Sequence, residues 1–357
     1  MNCDYLHVVP TTTALDALFQ IRALISDKET TATHHVLCLT KTNTTAPLQQ
    51  WLGHQVELHC HYTKSPWIHS LKLLRHFRQF QSAVTVFWDP AQYPLSAFPL
   101  LTSKSTRCVS VMTLPSSQDL QFPTMLGQRI LQHSHRVIVS SDTLLKKIGA
   151  GVSNHQDVIH IQPGFTMPDT LSESCHNLRN QLGLKPTVQL IGCVGEFKPQ
   201  FRLKESIWMA DILQKVKGDI HFVLFGDGSQ FEILKRYRDQ MWQRERIHFV
   251  SPWKMSAELL QQLNCMLTPA DHDGQAVGMR IAQALGIPNV AARSDGNAEL
   301  IHSGETGLLA GTDAGSLAKQ IYFILNEPQS ANQFGHQAAL KYEHPLFLNQ
   351  FNQALNP

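Results

Sequence analysis

The chemistry of this sequence concentrates between Thr268 and Gly311, TPADHDGQAVGMRIAQALGIPNVAARSDGNAELIHSGETGLLAG. Asp271-His272-Asp273-Gly274 is a polar turn. From about Ala276 the apolar residues Val277, Ile281, Ala284 and Leu285 recur at helical spacing, and Gly286 with Pro288 ends the helix. The turn is thus delivered to a helix N-terminus, where N–H groups and the helix dipole favour an anion, phosphate above all. The apolar run LNCML, closed by Thr268-Pro269, and the run Asn289–Ala292 predict two short buried strands. The loop then lies at the carboxyl end of a strand, where open parallel sheets place ligands. An ordinary βαβ unit without a ligand has the same spacing, and spacing alone does not separate the two.

The elements around this stretch alternate. Tyr5–Val9 reads as a strand and Ala14–Ile25 as an amphipathic helix whose start Thr11, Thr12 and Thr13 can cap through their hydroxyls. Apolar runs at 35–40, 56–59, 84–88, 107–113 and 136–140 follow, separated by helical or turn-rich segments. The same rhythm continues with strands at 187–194, 220–225 and 247–250 and helices at 231–244 and 258–263. Alternation of this kind predicts α/β architecture with doubly wound parallel sheets. Pro163-Gly164 and Pro168 suggest a hinge, and the tail from Ser330 to Pro357 reads as one or two helices.

At 357 residues the chain has room for two domains. Hydrophobic residues make up 43% and charged residues 16%, which excludes a disordered chain. A net charge of +2 gives no electrostatic case for nucleic acid. The nineteen histidines are scattered and show no metal-binding spacing. Seven cysteines, odd in number, far apart and without C-x-x-C, predict free thiols in a reducing compartment. With no signal peptide and no spanning segment, the expected location is cytoplasmic. Residues 65–81 predict a helix with Ile68, Leu71, Leu74 and Phe77 on one side and Lys72, Arg75, His76 and Arg78 largely on the other. Such a helix suits either a solvated surface or weak peripheral contact with anionic lipid at the inner face of a membrane.

Pro269, Asp273-Gly274, Ala284-Leu285-Gly286-Ile287-Pro288, Asp295-Gly296-x-x-Glu299 and Gly304-x-x-Gly307 occur in an order and spacing that resembles retaining glycosyltransferases of family four, the group 1 glycosyl transferases. The resemblance extends over most of the chain. It implies the GT-B fold: two Rossmann-like domains with parallel sheets facing an interdomain cleft. The implied domains are 1–166, joined by the tail 336–357, and 167–335. The first would serve the acceptor and the second the nucleotide-sugar donor.

The family's donor site, carried onto this sequence, implies the following roles. Asp273 orients the sugar and Arg202 assists departure of the diphosphate. Arg202 matches the family's phosphate-binding lysine if one residue is inserted, with Lys198 or Lys204 nearby. Gly195, Glu196, Lys198, Gly226, Asp227, Trp253, Lys254, Gly274, Gln275, Ala276, Val277 and Ile281 stand on the donor side; Thr11, Thr12 and Thr113 stand on the acceptor side. Several of these depart from the family pattern. Threonines replace a glycine pair at 11–13, Thr113 stands near a histidine position, Glu196 replaces an arginine, and Ile281 replaces the ribose-binding glutamate. Gly226-Asp227-Gly228, Trp253-Lys254 and Asp295-Gly296 also read as turns or caps, and Glu299 as a helix cap. No metal or other cofactor is expected, because cationic side chains can take the metal's role.

The resemblance implies transfer of a sugar from a nucleotide-diphosphate sugar to an acceptor (glycan, lipid or small molecule) with retention of configuration. The departures leave two alternatives: a catalytically degenerate GT-B module that binds or scaffolds, and a sugar-nucleotide epimerase.

Overall fold

The computed structural model describes residues 2–26, 32–39, 45–53, 55–60, 65–77, 79, 81–102, 107–113, 125–149, 157–167, 177–342 and 344–355. The chain divides into two compact units, Met1–Thr166 with Glu343–Pro357, and Met167–Tyr342. The return to the first unit lies at Glu343 rather than at 336. Helix Pro328–Leu340 packs on helices Val277–Ala284 and Ala314–Asn326 and therefore stays with the second unit.

The first unit is built on seven parallel strands: β1 (Asn2–Val9), β2 (His34–Cys38), β3 (Val56–Cys60), β4 (Gln81–Trp88), β5 (Arg107–Met112), β6 (Arg136–Val139) and β7 (Asp157–His160). Their order is β3-β2-β1-β4-β5-β6-β7. Leu6, Val8, Val36, Leu37, Val86, Val109 and Val137 are fully buried, as expected where helices cover both faces of a parallel sheet. The chain winds one way from β1 and then the other from β4, so the loops after those two strands meet at the topological switch point. The terminal helix His344–Leu355 completes this unit. Phe351 stacks on Trp88 at 5.7 Å, and Arg136 Nη1 donates to the Ala354 carbonyl at 2.9 Å. A Cβ on Gly164 would lie 2.4 Å from the Phe347 ring. That glycine permits close packing of the terminal helix, and the boundary between the two units falls two residues beyond it, at Thr166.

The helix expected over 65–81 ends at Phe77, because Gln81 already opens β4. Its buried side is also different. His69 and Leu73 face inward, and the His69 ring and the Ser70 hydroxyl bond Ser96 at 2.8 and 2.7 Å. Those bonds fix the helix's rotation and leave Trp67, Ile68 and Leu71 exposed beside Lys72 and Arg75. Arg78 and the side chain of His76 lie outside the described residues.

The second unit carries six parallel strands: β8 (Gln189–Val194), β9 (Ile220–Phe225), β10 (Ile247–Val250), β11 (Cys265–Thr268), β12 (Asn289–Ala292) and β13 (Leu308–Ala310). The order β10-β9-β8-β11-β12-β13 places its switch point between β8 and β11. Both units therefore have the doubly wound architecture the sequence predicts.

Strand register gathers histidines that are far apart in sequence. His7 with His34, His35 with His59, and His221 with His248 sit at diagonal positions of adjacent strands. Their facing ring nitrogens lie 3.0, 3.2 and 3.0 Å apart. The scattered appearance of these six in sequence is corrected by the sheets. The cysteines among the described residues form no disulfide bond; Cys175 lies outside them.

Candidate functional site

β8 ends at Val194, and the chain turns over it through Gly195–Arg202. The Gly226-Asp227-Gly228 turn clamps this loop. Phe197 donates to the Asp227 carbonyl at 2.9 Å, and Gln230 donates back to the Phe197 carbonyl at 2.8 Å. A Cβ on Gly226 would lie 2.1 Å from the Gly195 carbonyl oxygen, and one on Gly195 2.6 Å from the Phe201 ring. These glycines let two loops touch at the carboxyl ends of neighbouring strands. The Asp227 carboxylate accepts from the Gly228 amide at 2.7 Å. Partial burial raises its pKa above the ordinary carboxylate value, against that hydrogen bond.

The cations of the loop have partners. Glu196 is buried and pairs with Lys198 at 2.8 Å. Lys204 lies over the Tyr237 ring at 5.6 Å. Arg202 has φ 54 and ψ 32, left-handed backbone that a non-glycine residue adopts at a cost. Its guanidinium donates to the Thr312 carbonyl at 2.7 Å and lies 3.6 Å from both Glu205 and Asp271. Arg202 thus joins the loops that follow β8, β11 and β13. The positive charge of this rim is balanced by carboxylates of the same unit.

The loop after β11 rests on the start of helix Asp295–Leu300. Ser294 Oγ donates to the His272 carbonyl at 2.8 Å, and Asn297 Nδ2 donates to the carbonyls of Ala270 and Ala292 at 2.9 and 2.7 Å. A Cβ on Gly296 would lie 2.3 Å from the Asp273 carbonyl oxygen, so Asp295-Gly296 is the platform for this loop. Ser294, not Glu299, caps that helix, its hydroxyl accepting from the Asn297 amide at 3.1 Å. Glu299 stands in the last turn and accepts from Gln275 Nε2 at 3.4 Å. The cap reading of Glu299 is corrected accordingly.

Helix Val277–Ala284 begins on Ala276, which supplies no side-chain cap, and its first turn carries no acid. Gly278 approaches Val194 so closely that a Cβ would lie 3.1 Å from the valine carbonyl oxygen. The helix start is therefore set against the end of β8, beside the loop that carries Lys198 and Arg202. Asp273, Gly274, Gln275, Ala276 and Val277 are all buried at this junction. The His272 ring packs edge-on against Phe201 at 5.0 Å. Ile281 is fully buried in a helix that packs on β8, β11 and β12. Trp253 is buried and Lys254 exposed in the short turn Pro252–Lys254 after β10.

The residues assigned to the acceptor side lie in the first unit. Thr11 Oγ1 and Thr13 Oγ1 are 2.9 Å apart, and Thr11 Oγ1 accepts from the Thr13 amide at 3.2 Å. The N-cap position of the following helix Leu15–Ile25 is taken by Ala14, which has no side chain to cap with. Thr12 is fully buried. Thr113 donates through Oγ1 to Asp89 Oδ2 at 2.6 Å and through its amide to Oδ1 at 2.7 Å. Its hydroxyl proton is engaged by Asp89 and is unavailable to a sugar. Asp89, with φ 45 at the end of β4, is a switch-point residue that sequence reasoning missed. The Asp89-Pro90 pair closing an apolar run was the available signal.

A protein-family model described as glycosyl transferases group 1 matches residues 176–341. N-acetyl-alpha-D-glucosaminyl L-malate synthase of Bacillus anthracis is 24% identical over 210 residues, 58% of this chain. The chain spans only about half of that relative's length, 55%. Among solved structures, sucrose-phosphate synthase of Thermosynechococcus elongatus aligns over 98% of both chains at 14% identity, with a TM-score of 0.71. Anabaena HepE in complex with UDP-glucose aligns over 99% of both chains at 15% identity, also with a TM-score of 0.71.

Proposed function

From a chain whose residues 176–341 belong to the group 1 glycosyl transferases, on the two-sheet GT-B architecture, we infer a transferase that takes a sugar from a nucleotide-diphosphate donor and passes it to an acceptor with retention of configuration. The observation that carries this reading is the junction between β8 and β11. There Arg202, Lys198 and the start of helix Val277–Ala284 converge at a switch point. In this reading a diphosphate exchanges places with the carboxylates now paired to Arg202, and Asp273 orients the sugar. Cationic groups and amides set before the reaction stabilise the charge that develops on the leaving diphosphate without reorganising. The donor is a nucleotide sugar, as HepE's complex with UDP-glucose suggests, and no cofactor takes part. The acceptor is a glycan, lipid or small molecule. Titration with UDP, GDP and ADP followed by calorimetry tests the reading. Saturable binding to one of them, lost in Arg202→Ala, supports it; no binding to any of the three overturns it.

A second reading has its own support. Lys198 is paired with Glu196, Arg202 with Asp271 and Glu205, and Ile281 offers no hydrogen bond to a ribose. A GT-B module with its cations neutralised in this way binds a partner without turnover. Purified protein that binds a nucleotide sugar and never hydrolyses or transfers it would establish this second reading.

Among the described residues no helix is long and apolar enough to cross a membrane. We propose a cytoplasmic location, with helix Pro66–Phe77 either solvated or in weak peripheral contact with the inner face of a membrane. There the exposed Trp67, Ile68, Leu71, Lys72 and Arg75 of helix Pro66–Phe77 would rest on anionic lipid.

A further inference from the structure

Successive residues of a strand point to opposite faces, so Glu57 and His59 share one face of the edge strand β3. Parallel pairing sets His35 opposite Glu57 and Leu37 opposite His59, which brings His35 to the same face. His35 Nδ1 lies 3.2 Å from His59 Nε2 and 3.5 Å from Glu57 Oε2, and His59 Nε2 lies 3.5 Å from that same oxygen. Three donor atoms thus form a nearly equilateral triangle. A tetrahedral zinc ion bonded at ~2.0–2.1 Å holds its nitrogen and oxygen ligands ~3.3–3.4 Å apart. The triangle has the dimensions of one face of that tetrahedron.

We propose that His35, Glu57 and His59 form a binding site for a zinc-class divalent metal ion, separate from the junction between β8 and β11 and in the other unit. Two imidazoles and one carboxylate suit zinc and its first-row neighbours, whereas calcium and magnesium take oxygen ligands. Side-chain exposure is 11% for His35, 15% for His59 and 65% for Glu57, so two ligands are largely out of water and the third faces it. The fourth coordination position is filled by water from that side.

The two imidazoles are nearly parallel, at 2°, with the ligating nitrogens facing each other across a hydrogen bond. On binding, the ring that donated the shared hydrogen changes tautomer, releasing that proton to water and taking one up on its other nitrogen, so that both facing nitrogens offer a lone pair to the ion. Each ring tilts by ~35° so that the lone pairs meet near the tetrahedral angle, a rotation about the soft terminal torsion of histidine. The bound ion ties β2 to the exposed edge strand. The protein contains its own control. His221 and His248 have the same diagonal placement, facing nitrogens 3.0 Å apart and rings at 6°. Among the described residues that pair has no carboxylate completing a metal-holding group.

Chelator-treated full-length protein titrated with Co2+, read by the d–d absorbance of the tetrahedral ion and then displaced with Zn2+, tests the proposal. One ion per chain is expected. His59→Gln and His35→Gln should each weaken binding at least ~100-fold, since even second-shell losses reach that range. Glu57→Gln, at an exposed position, should fold normally and weaken binding at least ~10-fold. His248→Gln should leave binding unchanged. Zn2+ should also raise the unfolding temperature of the wild type and not of His59→Gln. Failure to bind either ion saturably, or binding unaltered by both Glu57→Gln and His59→Gln, overturns the assignment.

Discussion

Arg202 offers a comparison in which backbone and side chain can be separated. Its φ of 54 and ψ of 32 lie in the left-handed region, where a residue with a Cβ costs roughly 1–2 kcal/mol. Glycine escapes that strain but loses about 0.5–1 kcal/mol more backbone entropy on folding than alanine does. Arg202→Gly and Arg202→Ala forfeit the same contacts to Thr312, Glu205 and Asp271, so their difference isolates the backbone. At mid-range the balance favours glycine by about 0.75 kcal/mol, or about 1.5–3 °C in unfolding temperature for a unit of this size. That order is the reverse of the one found inside a helix, where alanine is preferred. Scanning calorimetry on the two variants without nucleotide measures the gap. Nucleotide affinity should fall equally in both, by roughly 10- to 150-fold if the guanidinium makes a charged hydrogen bond to a phosphate. An alanine variant as stable as the glycine variant, or more so, refutes the strain argument. Unequal nucleotide affinities refute the claim that the side chain alone carries the contact.

Gly296→Ala should weaken donor binding without removing any contacting side chain, because its Cβ would displace the Asp273 carbonyl; overpacking of this kind costs about 1–3 kcal/mol, visible in urea unfolding. Stability should also fall in mild acid. Burial holds His34 and His248 down at about 4 and His7 well below its usual value; at His34, Asp4 opposes the shift. An unfolded histidine titrates near ~6.5, so below that pH the unfolded chain binds more protons and stability declines; the contribution is complete above it and is lost towards pH 4. At pH 5 the loss from His34 alone is about 2 kcal/mol, and an unfolding temperature equal at pH 5 and pH 7 would contradict this. Anionic vesicles should sediment the protein in a salt-sensitive way, and Trp67→Ser with Leu71→Ser should abolish it; sedimentation that persists in the double variant removes the helix from that role.

The fold was legible because strands buried on both faces read as apolar runs and the intervening helices have clear stops. Asn289–Ala292 and Ile247–Val250 were delimited correctly from sequence alone, and Gly286 ends its helix with φ 66 as a C-terminal glycine should. What stayed hidden depends on register and rotation. The periodicity of residues 65–81 assigned an apolar face without knowing that Ser96 would anchor His69 and turn Leu71 outward. Asp89 cannot be connected with Thr113 until β4 and β5 pair. His35, Glu57 and His59 share a face only once β2 and β3 are in register. At the candidate site, sequence located the loops. It could not show that Glu196 neutralises Lys198 or that Asp271 reaches Arg202, because those pairings belong to the folded rim.

The account rests on a diphosphate being held where β8 and β11 diverge. A crystal structure of the protein soaked with the nucleoside diphosphate that binds best in calorimetry measures this directly. The account predicts phosphate oxygens within hydrogen-bonding distance of the Arg202 guanidinium and the first amides of helix Val277–Ala284, with Asp271 released from its pair. A diphosphate bound elsewhere, with Arg202 still joined to Asp271 and Glu205, would contradict it.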